Sequence, residues 1–369
     1  MAAERNTKMT TPAASDKILV HPLPKMDNGD GGEDAPGRLH VFGNPRTATH
    51  LVVMSAGFPD NQQAFTPVAQ RFASSGDCLV GITCPPGYDD ALELTAYPKA
   101  GFTFEDWVPT LREAVKALRN YSEKPVEETT LTGVFHDWGV IMGCMYANLV
   151  VDEQEHDALG LKLDRLVLYD VLLPPHRKCE DWDRSKKYEN KTPWHYFCLM
   201  AYQLFLAGAF LSSRYFPKYL TLVYYGIGSG IMQVLGTYPV SQSDTEYVEA
   251  NLNVREMKVL QRIWYMAYPY FQFWKQIFTG KMRDLLRPLS LPKDLVETPV
   301  LYLYGASKRY DLGDANAVEL LKQQEQATGR HSRVVEVKDA GHWLYYQQPD
   351  ICFDAMQEFF KATIKSNAK

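Results

Sequence analysis

The residues of this chain best suited to chemistry stand in LTGVFHDWGVIMGCM, Leu131 to Met145. An apolar, β-rich run from Thr129 to Phe135 ends abruptly at His136-Asp137-Trp138-Gly139. A helical pattern of apolar and small residues follows, with Gly139, Gly143 and Ala147 at helical spacing. Strand, one-residue turn and helix make the context of a nucleophile elbow, where the turn residue projects from the top of a sheet. That residue would be Asp137, and a carboxylate can act as a covalent nucleophile. Gly139 suits a close pass of strand and helix. The plainer reading is a β-to-α turn whose aspartate only caps the helix. The other strand ends must decide between the two.

Those strands are legible as short apolar runs. Gly37–Gly43 (GRLHVFG) alternates like an edge strand, while His50–Met54, Cys78–Thr83 and Arg165–Tyr169 are continuous runs of the kind buried on both faces of a parallel sheet. Helical apolar spacing falls between them, at Trp107, Leu111, Val115 and Leu118 for example. The alternation predicts an α/β fold, a parallel sheet with helices on both faces. It stops at Pro174-Pro175, gives way to aromatic helical segments broken by proline and glycine, and resumes at Pro299–Gly305, Asp314–Ala327, Arg333–Val337 and Pro349–Ile364. The expected organisation is a flexible tail over 1–36, a core over 37–172 and 292–369, and an inserted helical cap over 173–291.

Catalytic groups on such a sheet are expected at the carboxyl ends of the strands. There lie Gly57-Phe58-Pro59, Asp137-Trp138, Asp170, the stretch Lys308 to Asp311, and Asp339-Ala340-Gly341-His342-Trp343. Nucleophile, acid and histidine in that chain order match the order of a hydrolase triad. No serine occupies the elbow, which disfavours a serine esterase.

Composition narrows the field. Hydrophobic content of 46% and charged content of 22% over 369 residues suit a soluble globular protein of one or two domains. A net charge of -5 gives no reason to expect nucleic-acid binding. The six cysteines show no metal-ligand spacing, so reduced, buried thiols are expected. The N-terminal residues lack the apolar core of a secretory signal, and a cytoplasmic location is the expectation. Two uncharged stretches, Tyr196–Ser213 and Tyr219–Ser243, approach membrane-spanning length but carry many Tyr, Gln, Ser and Gly residues. They read as buried or substrate-facing lid helices, with peripheral membrane contact through the cap left open.

The pieces Gly57-Phe58-Pro59-Asp60, His136-Asp137-Trp138-Gly139 and Asp339-Ala340-Gly341-His342-Trp343 resemble the α/β-hydrolase superfamily, in its aspartate-nucleophile branch of epoxide hydrolases and haloalkane dehalogenases. The resemblance covers the core and places the insertion where that branch carries its cap. It implies an alkyl-enzyme ester on Asp137, an oxyanion hole from the Phe58 and Trp138 N–H groups, and hydrolysis by water that His342 activates. No metal or organic cofactor is implied. Asp170 is favoured over Asp311 as the acid orienting His342, because lysine, Lys308, stands where an aspartate is often found. Tyr202, Tyr268 and Tyr270 are the candidate cap donors to an epoxide oxygen. A halide would instead need two N–H donors, and Phe58 replaces the usual asparagine. An apolar epoxide is the first expectation; a dehalogenase, or a weakly catalytic protein binding a partner or membrane, is the alternative. Two departures stand out: Ala56 replaces a histidine before Gly-Phe-Pro, and bulky Phe135 replaces a small residue behind the elbow.

Overall fold

The computed structural model describes residues 19–23, 37–89, 97–150, 160–176, 192–234, 242–252, 256–281, 289–293, 295, 297–308, 312–326 and 332–364. The ten strands among these residues are β1 (Leu19–Pro22), β2 (Arg38–Gly43), β3 (His50–Ser55), β4 (Cys78–Thr83), β5 (Thr130–His136), β6 (Arg165–Tyr169), β7 (Val171–Leu172), β8 (Val300–Gly305), β9 (Leu312–Gly313) and β10 (Arg333–Val337). Eight of them form one sheet in the order β1-β2-β4-β3-β5-β6-β8-β10, and β7 pairs with β9 separately. From β4 to β10 every pairing is parallel, whereas β2 runs antiparallel to both β1 and β4.

Two expectations change at this edge. Leu19–Pro22 lie within the segment read as a tail, yet they pair with Leu39, His40 and their neighbours. The segment GRLHVFG is therefore an inner strand, and β1 is the edge. Four residues before an acidic, glycine-rich stretch carry too little pattern to announce a strand.

The continuous apolar runs are explained by a core on each face. Side chains alternate along a strand, so Leu51 and Val53 enter one layer while Val52 and Met54 enter the other. The first layer holds α2 (Trp107–Tyr121) and α3 (Trp138–Val150), and the second holds α1 (Thr66–Ala73) and the C-terminal helix. Burying both faces leaves no solvent-facing position in β4, all six residues of which are buried.

Among the described residues between β7 and β8 there are five helices: α4 (Pro193–Tyr215), α5 (Lys218–Val234), α6 (Gln242–Asn251), α7 (Met257–Met266) and α8 (Tyr268–Phe278). This is the helical insertion. Helices α9 (Ala315–Gln326), α10 (Leu344–Gln347) and α11 (Pro349–Ile364) follow in the core. Among the described residues one helix, α4, is long and apolar enough to cross a membrane. Five cysteines, all buried, are free thiols, and Cys179 lies outside the described residues.

Candidate active site

The elbow is strained where the sequence places it. Asp137 has φ 51°, the left-handed region that L residues adopt only at a cost of about 1–3 kcal/mol, between the end of β5 and the start of α3. The turn closes only because glycines surround it. A Cβ on Gly139 would stand 2.2 Å from the Ser55 carbonyl oxygen, and one on Gly57 would stand 2.2 Å from the Trp138 nitrogen. The loop after β3 is thereby pressed against the elbow. The Phe58 N–H donates to Asp137 Oδ2 at 2.8 Å, and the Trp138 N–H also hydrogen-bonds that carboxylate. Burial raises the Asp137 pKa, while the nearby His342 and these two N–H groups pull the other way.

The sheet register brings the rest of the site to the same edge. His136 is level with Tyr169, Tyr169 with Leu303, and Gly305 with Val337. Asp170, one residue beyond β6 and also at positive φ (70°), is anchored by its N–H to the Leu303 carbonyl at 2.8 Å. Its Oδ2 lies 2.5 Å from His342 Nδ1. The loop after β10 is drawn in over Gly305, where a Cβ would lie 2.3 Å from the Ala340 and Gly341 carbonyl oxygens. Burial would lower the His342 pKa, but the Asp170 carboxylate, then Asp137, outweigh it and leave it raised. Burial would likewise raise Asp170, yet Lys308 and His342 hold it well below the usual carboxylate range. Of the two acids expected for this role, the structure brings Asp170 to the histidine; Asp311 lies outside the described residues.

This architecture recurs among solved structures. The chain is similar to a loop variant of haloalkane dehalogenase DbeA from Bradyrhizobium elkanii, with 14% identity, 95% of this chain and 99% of that chain covered, and a TM-score of 0.56. It is also similar to an epoxide hydrolase from Vigna radiata, with 14% identity, 93% and 98% coverage, and a TM-score of 0.51. The fold is that of the α/β hydrolases. Neither a protein-family model nor a curated protein sequence matches the chain.

In this hydrolase fold the three candidate tyrosines separate. Tyr268 donates its O–H to the Pro86 carbonyl at 2.9 Å and accepts the Trp107 indole N–H at 2.9 Å, so its proton is spent on holding the insertion to the core. In this arrangement its O–H faces the core and not the elbow. Tyr270 is placed over the elbow, its ring 5.0 Å from Trp138, 5.4 Å from Phe58 and 5.9 Å from Tyr202. Burial pushes its hydroxyl well above the ordinary tyrosine value, and the Asp137 charge pushes further; hydrogen bonds from Trp138 and Tyr202 oppose both.

Three supporting groups were not assigned roles from sequence. Lys308, nearly buried, sets its Nζ 2.5 Å from the same Asp170 oxygen that holds His342. Buried Asp60 accepts from Trp343 Nε1 at 2.7 Å, Tyr247 at 2.8 Å and Tyr345 at 3.1 Å, and burial pushes its carboxyl up to about 6 despite those donors. Asp244, in α6, accepts the His342 N–H at 2.8 Å. The only sequence signal for Lys308 and Asp60 was a position at a strand end or beside a motif, and Asp244, inside α6, had none.

His136, Asp170 and His342 present ligand atoms within 4.8 Å of one another, as a metal site could. One nitrogen of each histidine is committed otherwise. His342 Nδ1 faces Asp170, and His136 Nε2 faces the His342 carbonyl at 3.1 Å. The donors therefore fit a hydrogen-bonded triad better than a metal cage.

Proposed function

We propose that this protein is an epoxide-hydrolase-like enzyme that opens an apolar epoxide through an ester on Asp137. The observation that carries the reading is the Asp137 carboxylate itself, held at an elbow by two backbone N–H groups with the Asp170–His342 pair beside it. The free carboxylate oxygen attacks an epoxide carbon, the C–O bond breaks, and the alkoxide takes the Tyr270 proton. Trp138 and Tyr202 then stabilise the resulting phenolate, which burial would otherwise disfavour.

His342 removes a proton from water, and the hydroxide adds to the Asp137 carbonyl carbon. The negative charge on the tetrahedral oxygen is met by the Phe58 and Trp138 N–H groups, already aligned in the resting state. Collapse expels the diol oxygen, which takes the proton from His342. The carboxylate returns, and its remaining proton reaches the Tyr270 phenolate through solvent. Asp170 orients the histidine and compensates its positive charge.

The halide alternative needs two N–H donors over the elbow. Here the Trp107 indole serves Tyr268 and the Trp138 indole serves Tyr270, which favours an oxygen leaving group. The aromatic lining of Phe58, Trp138 and Tyr270 supports an apolar substrate. A paired assay tests this. With styrene oxide and 1-chlorobutane as probes, diol should form and halide should not; Tyr270→Phe should slow ring opening, and Asp137→Ala should abolish it. Halide release without diol would overturn the assignment.

A further inference from the structure

The outer side of the α4–α5 hairpin presents a set of exposed apolar side chains. Helix α5 is anchored along one narrow line: Thr221 and Met232 are buried, Tyr225 contacts Phe205, and a Cβ on Gly228 would stand 2.2 Å from the Phe205 ring. The remainder of the helix faces outward with Tyr219 (64% exposed), Leu220, Val223, Ile227 (60%), Ile231 and Val234 (87%). On α4, Trp194, Phe197, Met200 and Leu204 are exposed as well. Contiguous exposed apolar surface of this kind marks an interaction site on a soluble domain.

Charge says what would cover it. No Asp or Glu occurs between Thr192 and Val234, and Arg214 and Lys218 are the only lysine or arginine residues there. Arg214 turns its guanidinium onto the Tyr97 carbonyl and the Tyr265 ring, which leaves exposed Lys218 as the outward cation of the hairpin corner, beside exposed Tyr215, Phe216 and Tyr219. Aromatic and basic residues flanking an aliphatic strip are the composition of a helix lying in a bilayer interface, with cations toward anionic headgroups. A second copy of the chain would bring its own cationic corner and no acid from this stretch to answer it. Spanning is excluded by packing: α4 carries Tyr202 beside Tyr270 and stacks Phe210 on Phe271 of α8, so it cannot leave the insertion.

We propose that the outer face of α4–α5 docks on an anionic membrane surface, lying in the interface without crossing it. The docking stands apart from the chemistry at Asp137. If the ring-opening reading also holds, the substrate class is a lipid-soluble epoxide that enters the insertion from the bilayer.

The test is co-sedimentation of the full chain with phosphatidylcholine vesicles, with and without phosphatidylglycerol. The wild type should pellet with the mixed vesicles and much less with phosphatidylcholine alone. Ile227→Glu together with Ile231→Glu should reduce the bound fraction roughly tenfold, with unchanged circular dichroism. Lys218→Gln, a milder change, should weaken binding only to the anionic vesicles. Amide exchange over 218–234 should slow when mixed vesicles are present. A wild-type chain that stays in the supernatant would overturn the proposal. So would a dimer in light scattering, dissolved by the same glutamates, that does not bind vesicles, because the face would then be covered by a second copy.

Discussion

At the scale of single residues, the triad has an unusual third neighbour. Asp170 Oδ2 meets both His342 Nδ1 and Lys308 Nζ at 2.5 Å, so one carboxylate oxygen serves two cations. The lysine keeps Asp170 ionised but also opposes protonation of His342. Catalysis needs neutral His342 to accept a proton from water. The acid limb of kcat should therefore lie above the ordinary histidine value, with activity rising as pH climbs through it. Lys308→Met removes the opposing charge, so the limb should move to still higher pH in a stopped-flow pH profile; a limb that moves down would contradict this account. In the sequence, Lys308 read only as a missing acid. Its value becomes visible once Asp170, on another strand, is seen to be its partner.

At the scale of elements, the elbow was the most legible part of the chain, because strand, turn and helix follow one another within fifteen residues. Phe135 read as a departure that tightens packing, and the structure shows how the crowding is relieved. A Cβ on Gly143 would fall 2.2 Å from the Phe135 ring, and one on Gly133 would fall 2.4 Å from it. Two glycines, one in β5 and one in α3, make room for one large side chain. Gly143→Ala should destabilise the protein by about 1–3 kcal/mol through overpacking. In a Phe135→Leu background the same change should cost much less, and urea unfolding of the four variants measures the coupling. Additive costs would mean that the ring and the helix do not compete for space. The strands β3, β4, β5, β6 and β8 were legible for a related reason: a strand buried on both faces needs an uninterrupted apolar run. β1 was not, since four edge residues carry no such constraint.

At the scale of the molecule, helix α6 ties the insertion to the histidine loop, which no local pattern could announce. Tyr247 and Asp244 come from the insertion, Trp343 and Tyr345 from the region after β10, and Asp60 from the loop after β3. Tyr247, Trp343 and Tyr345 converge on Asp60, while Asp244 holds the His342 N–H. Asp60 titrates at about 6 in the folded state against 3.8 as a free carboxyl. A raised pKa contributes stability that is fully present below the unfolded value and is lost as pH rises through the folded one. The wild type should thus lose about 2–3 kcal/mol from this group between pH 4 and pH 8. Asp60→Asn, which cannot ionise, should escape that loss, so its stability relative to wild type should improve across the range in urea titrations. Parallel curves would contradict the burial argument. The central claim concerns Asp137, and intact-protein mass spectrometry of His342→Gln after incubation with a panel of epoxides addresses it most directly. Without the base, the ester should persist, giving one adduct of substrate mass that maps to the peptide containing Asp137. Folded protein that forms diol from the same epoxides with no adduct at Asp137 would contradict the account.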